Sequence, residues 1–319
     1  MDTTEGIISD FFAGASIPQA PAGYKSGFIG IIGRPNVGKS TLMNQLVGQK
    51  IAITSPVAQT TRNRLQGILT TADAQLIFVD TPGIHKPHHQ LGEVLVKNAR
   101  IAIDSVDVVL FVVDGSVEAG GGDRYIVDLL AQTQTPVILG LNKIDRRSGD
   151  SEQIDSTYTN LAAPYQWQSV KFSALRSEGL STLQQVISDR LEPGGPYYYP
   201  PDLVTDQPER FIMGELIREQ ILLLTREEVP HSVAITIDKV EESPTITRVF
   251  ATIHVERDSQ KGILIGKGGM MLKAIGSAAR EQIQKLIAGK VYLELFVKVQ
   301  PKWRQSRLRL SELGYRVEE

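Results

Sequence analysis

The sequence predicts an α/β domain with a doubly wound, mostly parallel sheet, followed by a smaller α+β domain. Three observations predict it. At 319 residues the chain exceeds what one hydrophobic core normally serves, so two domains are expected. Four short runs, "FIGIIG" (28–33), "QLIFVD" (75–80), "DVVLFVVD" (107–114) and "PVILGLN" (136–142), are apolar almost throughout and rich in β-branched residues. Strands covered by helices on both faces have that composition. The third is "EPGGPYYYPPD" (192–202), too dense in Pro and Gly for a helix or a central strand, which divides the chain.

In chain order, residues 1–24 are rich in Gly, Ala, Pro and Ser and read as a disordered arm. Residues 25–191 form the first domain, 192–205 the linker, and 206–319 the second domain. The linker is stiff and extended, with Tyr197, Tyr198 and Tyr199 expected to pin it to a domain surface. A helix follows at about 208–226, with Phe211, Ile212, Leu216 and Leu223 among its apolar positions. Strands at 231–242 and 245–258 flank Ser243-Pro244. A glycine loop, a helix at about 269–287 and a strand at 291–300 complete an α-β-β-α-β order.

Composition excludes several classes. No run of about 18 apolar residues is present, so no segment is expected to span a membrane. "MDTTEGIISD" lacks the basic start and apolar stretch of a signal peptide. The absence of cysteine excludes disulfides and thiolate metal sites and fits a reducing compartment. Three of the five histidines crowd into "HKPHH" (85–89), but the intervening proline favours a solvated loop over a metal site. Residues 1–209 carry 16 basic and 22 acidic side chains, net −6, and residues 210–319 carry 18 and 14, net +4. The two halves are suited to different partners.

"GRPNVGKS" (33–40) follows a strand and opens a helix, the context that a triphosphate loop requires. Gly33, Arg34, Pro35, Asn36, Val37 and Gly38 would form a turn whose backbone N–H groups, which Pro35 lacks, converge on phosphates, with Lys39 reaching the β- and γ-phosphates. Ser40 would ligate Mg²⁺, and Thr41 continues the helix start. "DTPG" supplies Asp80 for Mg²⁺ through water, Thr81, Pro82, and Gly83, whose N–H would sense the γ-phosphate. In the polar loop "SPVAQTTRNR" (55–64), Thr61, or Thr60 in its place, would give a second hydroxyl to Mg²⁺. "NKID" selects guanine. Asp145 can accept from both N1–H and the exocyclic amine, donors that adenine lacks in that arrangement. Asn142 would bridge toward the loop, the Lys143 stem would pack on the purine, and Ser173-Ala174 would place an N–H on the guanine oxygen. The expected catalytic set is Lys39, Thr61 and Gly83, acting on GTP. Where Ras-like enzymes carry a water-orienting glutamine, this chain has Ile84. Asn36 could compensate by offering a carbonyl to K⁺ beside the phosphates.

A second glycine loop, Gly266-Lys267-Gly268-Gly269, opens a helix but lacks the Lys-Ser pair of a triphosphate site. It fits the KH module, whose G-x-x-G loop clamps a nucleic-acid backbone. Lys267 and Lys273 would supply charge. Met270 and Met271 read as helix packing. Downstream, Lys298, Lys302, Arg304, Arg307 and Arg309 interleave with Trp303 and suit single-stranded RNA. A solvated amphipathic end with Trp303 in the core is the competing reading.

With "GRPNVGKST", "QTTR", "DTPGIH", "NKID" and a distal G-x-x-G, residues 26–307 resemble the Era family of bacterial GTPases. The resemblance implies a P-loop GTPase domain followed by a type II KH domain. It implies binding near the 3′ end of 16S ribosomal RNA and a switch role in 30S subunit assembly. It also implies a cytoplasmic protein with possible peripheral contact to the inner face of the membrane; we expect a monomer. In that family the residue after D-x-x-G is also hydrophobic, as Ile84 is here. Two other readings stay open: a GTP-dependent membrane or cell-division regulator whose KH fold contacts proteins, and an RNA chaperone with a vestigial nucleotide site.

Overall fold

The computed structural model describes residues 17–55, 65–80, 83–84, 103–147, 151–227 and 229–313. The histidine cluster, Thr60, Thr61, Thr81, Pro82 and most of the N-terminal arm lie outside these. The first sheet is built from β1 (Lys25–Ile32), β2 (Leu65–Thr70), β3 (Ala74–Asp80), β4 (Val108–Asp114), β5 (Val137–Asn142) and β6 (Gln168–Lys171). Its order is β2-β3-β1-β4-β5-β6, parallel except for β2 at one edge. All four strands expected from apolar runs are present. The two that the sequence concealed are the edge strands: β2 carries a glycine at its centre, and β6 is a four-residue segment exposed at three positions.

Both faces of the sheet are covered, which is why its central strands tolerate no polar alternation. Helices α1 (Lys39–Val47) and α4 (Leu180–Ser188) bury Leu42, Met43, Leu183 and Ile187 with Ile29, Phe78 and Leu110. Helices α2 (Gly121–Leu130) and α3 (Ser151–Ala162) bury Ile126, Leu130 and Tyr158 with Val79, Phe111 and Leu139. The strand ends leading to residues 33, 80 and 142 lie side by side: Ile31 pairs with Asp80, and Asp114 pairs with Asn142. Ligands in such sheets bind beyond those carboxyl ends.

The arm does not extend to residue 24. Tyr24 is buried, its hydroxyl donates to the Thr71 carbonyl at 3.3 Å, and its ring lies 4.7 Å from that of Tyr197. The linker is pinned as its tyrosines suggested. Tyr198 meets Phe28 edge-on at 5.1 Å, and Tyr199 donates to Gln66 at 2.7 Å. Fully buried Gln75 accepts from the N–H groups of Tyr198 and Tyr199, at 2.8 and 3.1 Å, and donates to the Tyr199 carbonyl at 2.9 Å and to Thr70 at 3.1 Å. One amide thus uses both donors and both lone pairs on the linker and its own sheet. Beyond it, Ile68 donates to the Val204 carbonyl at 2.9 Å and Thr205 to the Gln66 carbonyl at 2.7 Å, so the linker closes the β2 edge.

The second domain contains α5 (Glu209–Leu224), the short α6 (Val229–Ser232), β7 (Ala234–Glu242), β8 (Thr247–Val255), α7 (Asp258–Ile265), α8 (Met270–Leu286), β9 (Val291–Val299) and α9 (Arg307–Glu312). Its sheet runs β7-β8-β9, with β8 antiparallel to β7 and parallel to β9. Alternate residues Val249, Ala251, Ile253 and Val255 are fully buried beneath α5 and α8. The α-β-β-α-β expectation missed α7. Its eight residues are too few for a clear period, but Gln260 marks its start by accepting from the N–H groups of Glu256 and Arg257 at 3.0 and 3.1 Å. The glycine loop therefore joins two helices.

Candidate functional site

The loop from Gly33 to Gly38 links β1 to α1. Gly38 is left-handed, with φ 98°, and a β-carbon there would lie 2.4 Å from Asn142 Nδ2. Only glycine allows this turn and this contact together. Lys39 is buried, with Nζ donating to the carbonyls of Gly33 at 3.1 Å and Arg34 at 3.0 Å. Burial lowers its pKa to about 8 against an opposing pull from Asp80. A buried ammonium whose hydrogen bonds among the described residues go to two carbonyls is poised for an anion.

Ser40 Oγ donates to Asp80 Oδ2 at 3.0 Å, and Asp80 is fully buried at the end of β3. A hydroxyl and a carboxylate beside a phosphate loop suit Mg²⁺, which takes few protein oxygens and completes its shell with water and phosphate. No cluster of three or more His, Cys, Asp or Glu suited to a metal exists among the described residues.

Asn142 joins three segments. Its Nδ2 donates to the Val37 carbonyl at 2.8 Å, and its Oδ1 accepts from the N–H groups of Lys143 at 2.8 Å and Ala174 at 2.9 Å. This corrects one expectation: the Ala174 N–H is committed to Asn142 and does not face outward to a guanine oxygen. Ser173 instead orients Asp145, donating to its Oδ1 at 2.6 Å. Lys143, left-handed with φ 65°, sends Nζ to the Asn36 carbonyl at 2.7 Å and to Asp114 at 2.6 Å. Burial works against the Asp114 charge, yet hydrogen bonds from Lys143 and Ser116 hold its carboxyl below the ordinary value.

The Arg34 side chain turns to buried Asp123, with Nε 2.7 Å from Oδ1, which leaves its backbone for the cradle. Gly83 lies against Pro35, where a β-carbon would come within 2.7 Å of the backbone nitrogen. Ile84 donates its N–H to the Gly33 carbonyl at 3.1 Å and buries its side chain in the core with Val79 and Ile32. The residue in the glutamine position therefore serves packing. Thr61, Thr60, Thr81 and Pro82 lie outside the described residues. Asp114 and Asp123 were missed; each sits where a strand ends or a helix begins, positions that sequence motifs do not name.

The second glycine loop presents Gly266, Gly268 and Gly269 at positive φ, of 70°, 59° and 78°. Lys267 and Gly268 are exposed, and nothing lies within 4 Å of a β-carbon at Gly268 or Gly269. The loop caps the 17-residue α8, whose first turn has no acid, so its N–H groups and Lys273 favour an anion. Met271 packs on the core, but Met270 is 63% exposed, so the packing expectation fails for Met270.

The tail differs more. Trp303 is buried, donates Nε1–H to the Ser232 carbonyl at 3.1 Å and packs with Ala234 and Leu313. It offers no face to a base, and the competing core reading is the correct one. Arg304 is paired with Glu256 and Arg309 with Glu312, acids that lie outside the basic stretch itself. Lys298 and Lys302 are exposed and form no ion pair among the described residues; the Arg307 side chain is outside the description.

Glu219, on α5, ties the two domains together. It is 2% exposed and accepts from Lys50 Nζ at 2.5 Å and from Thr54 N at 2.8 Å, while Lys50 also reaches Gln282 of α8 at 3.5 Å.

Comparison with known proteins agrees with this geometry. Residues 28–143 match a family model described as "50S ribosome-binding GTPase", and residues 228–304 match a KH domain model. The chain is 79% identical to a GTPase Era of Nostoc sp. over 98% of its length and 96% of that protein's. It is 73% identical to a GTPase Era of Rippkaea orientalis over 95% and 96%. Among solved structures, Era with MgGDPNP and nucleotides 1506–1542 of 16S ribosomal RNA matches at 37% identity, with a TM-score of 0.85 over 92% of this chain and 100% of that one. An Aquifex aeolicus Era variant bound to GDP and AlF4⁻ matches equally well, with the same identity, TM-score and coverage.

Proposed function

The chain belongs to the Era family of GTPases, and from that premise we propose that it is a GTP-driven switch that grips 16S ribosomal RNA near its 3′ end through its KH domain during 30S assembly. The observation that carries the proposal is the pairing of two unlike phosphate loops. One is stitched by Asn142 to the segment that carries Lys143 and Asp145, and the other is an exposed glycine turn between two helices. The solved relative that holds RNA holds the 16S species. The "50S" in the description of the matching model covers only the nucleotide-binding segment, so the full-length relative is the better guide to the RNA.

In this reading, the backbone N–H groups within 34–40, Pro35 excepted, and the α1 N-terminus would hold the phosphates, and Lys39 would neutralise charge building on the β–γ bridge as the γ-phosphoryl leaves. Ser40 and Asp80, with Thr61 or Thr60, would hold Mg²⁺, which shields the phosphate oxygens. Gly83 would report the γ-phosphate through its N–H. Asp145, fixed by Ser173, would select guanine. Ile84 can position no water, so intrinsic hydrolysis is slow. K⁺ beside the phosphates would raise it, with Asn36 offering a carbonyl oxygen as ligand. Equal rates in Na⁺ and K⁺ at matched ionic strength would remove that part. A cytoplasmic setting with peripheral membrane contact rests on the family alone.

The RNA site would comprise Gly266, Lys267, Gly268, Gly269 and Lys273, with Lys302 at its margin. The test is binding of a short RNA copying the 3′ end of small-subunit ribosomal RNA at fixed salt, beside a scrambled RNA and Gly268→Asp protein. Selective binding that Gly268→Asp abolishes is expected. Weak binding without sequence preference would turn the reading toward a regulator that uses its KH fold on proteins.

A further inference from the structure

We propose that Asp123 is a positioning residue of the phosphate loop, a buried carboxylate outside every nucleotide motif that sets the shape of the cradle through Arg34. The inference rests on residues 33–40 being the triphosphate loop. Asp123 is fully buried in the first turn of α2, where an unpaired carboxylate would be costly. Both its oxygens are used: Oδ1 takes Arg34 Nε at 2.7 Å, and Oδ2 takes the Gly120 N–H at 2.9 Å.

Arg34 is the second residue of the loop, and its carbonyl receives Lys39 Nζ at 3.0 Å. Fixing its side chain therefore fixes a carbonyl that aims the phosphate lysine. The far end of the segment is held in the same manner. The Asn36 carbonyl takes Lys143 Nζ, and Lys143 is held by Asp114. Between the two acids, buried Tyr158 donates its hydroxyl to the Asp114 carbonyl at 3.0 Å. Residues 34–36 are thus pinned from both sides by groups of the protein itself. A pinned loop loses little conformational freedom when phosphates bind, whereas a loose one spends binding energy on ordering itself.

Gly122 gives the inference a second handle. A β-carbon at Gly122 would sit 2.6 Å from Arg34 Cδ and push against it. Loosening the pair leaves a buried carboxylate poorly compensated, so both Gly122→Ala and Asp123→Asn should lower the thermal midpoint as well as affinity. A control of similar cost therefore separates positioning from stability: Ile126→Ala, in the buried face of the same helix. The experiment measures Kd for GDP and for a non-hydrolysable GTP analogue in the full-length wild type and the three variants, well below every midpoint. Gly122→Ala and Asp123→Asn should weaken both nucleotides about tenfold, the size of a lost charge-assisted hydrogen bond, while Ile126→Ala keeps wild-type affinity. Preference for GDP over ADP should persist. Wild-type affinity in Asp123→Asn, or an equal loss in Ile126→Ala, would overturn the proposal. Failure of the wild type itself to bind GDP would instead overturn the nucleotide site on which it rests.

Discussion

Lys39 sets the pH behaviour of the nucleotide site. Its folded value, about 8, lies below the usual 10.5, so the folded protein binds fewer protons than the unfolded chain between those values. Stability of the nucleotide-free protein from this group therefore rises with pH across that window. Nucleotide binding runs the other way, because phosphates favour the charged lysine. Kd for GDP should increase about tenfold from pH 7 to pH 9, with a proton taken up on binding at the higher pH. Titration calorimetry in buffers of different ionisation enthalpy reads both, and a flat profile would contradict it. Asp145→Asn should exchange an acceptor for a donor, so GTP binding falls by two or more orders of magnitude while xanthosine triphosphate is accepted; competition binding checks it. Residues inside contiguous motifs, from Gly33 to Ser40 and Asn142 to Asp145, were legible because their spacing is local. Trp303, Ala174 and Asp123 were not. Their roles depend on Ser232, Asn142 and Arg34, which are distant in sequence, and no spacing rule reports such partners.

At the scale of elements, apolar runs revealed the four strands buried on both faces, since burial leaves a compositional mark. The edges left none: β2 and β6 carry no long apolar run and went unassigned, and α7 was too short to show a period. The tyrosine linker was legible as a stiff connector, but its anchor, Gln75, looked like any polar residue in a strand. Gln75→Ala should leave the linker amides at 198 and 199 without acceptors, at a cost of about 2 kcal/mol in urea unfolding. A loss under half that value would mean water replaces the amide. The glycine turn supports a cleaner separation. Gly268 is open to solvent and left-handed, which aspartate tolerates moderately, so Gly268→Asp should fold and bind GDP normally while losing RNA. Loss of both activities would indicate misfolding.

On the scale of the whole molecule, the two phosphate loops meet through Glu219. Its partners Lys50 and Thr54 follow α1, the helix that the phosphate loop opens. Through Gln282, Lys50 also reaches α8, the helix that the second glycine loop opens. Each loop thus starts a helix that leads toward one shared ion pair. Glu219→Gln should weaken this tie and bring RNA affinities in the two nucleotide states closer together, with GDP affinity little changed; fluorescence anisotropy reads both. None of this geometry was visible in the sequence, because a contact between residues 50 and 219 depends on how two domains dock. The most direct measurement is therefore RNA affinity in GDP and in a non-hydrolysable GTP analogue, using the 3′-end RNA at one salt concentration. A switch predicts RNA bound about tenfold or more tighter with the GTP analogue, within the usual range of coupling between sites. Equal affinities in the two states would contradict it and leave two independent sites on one chain.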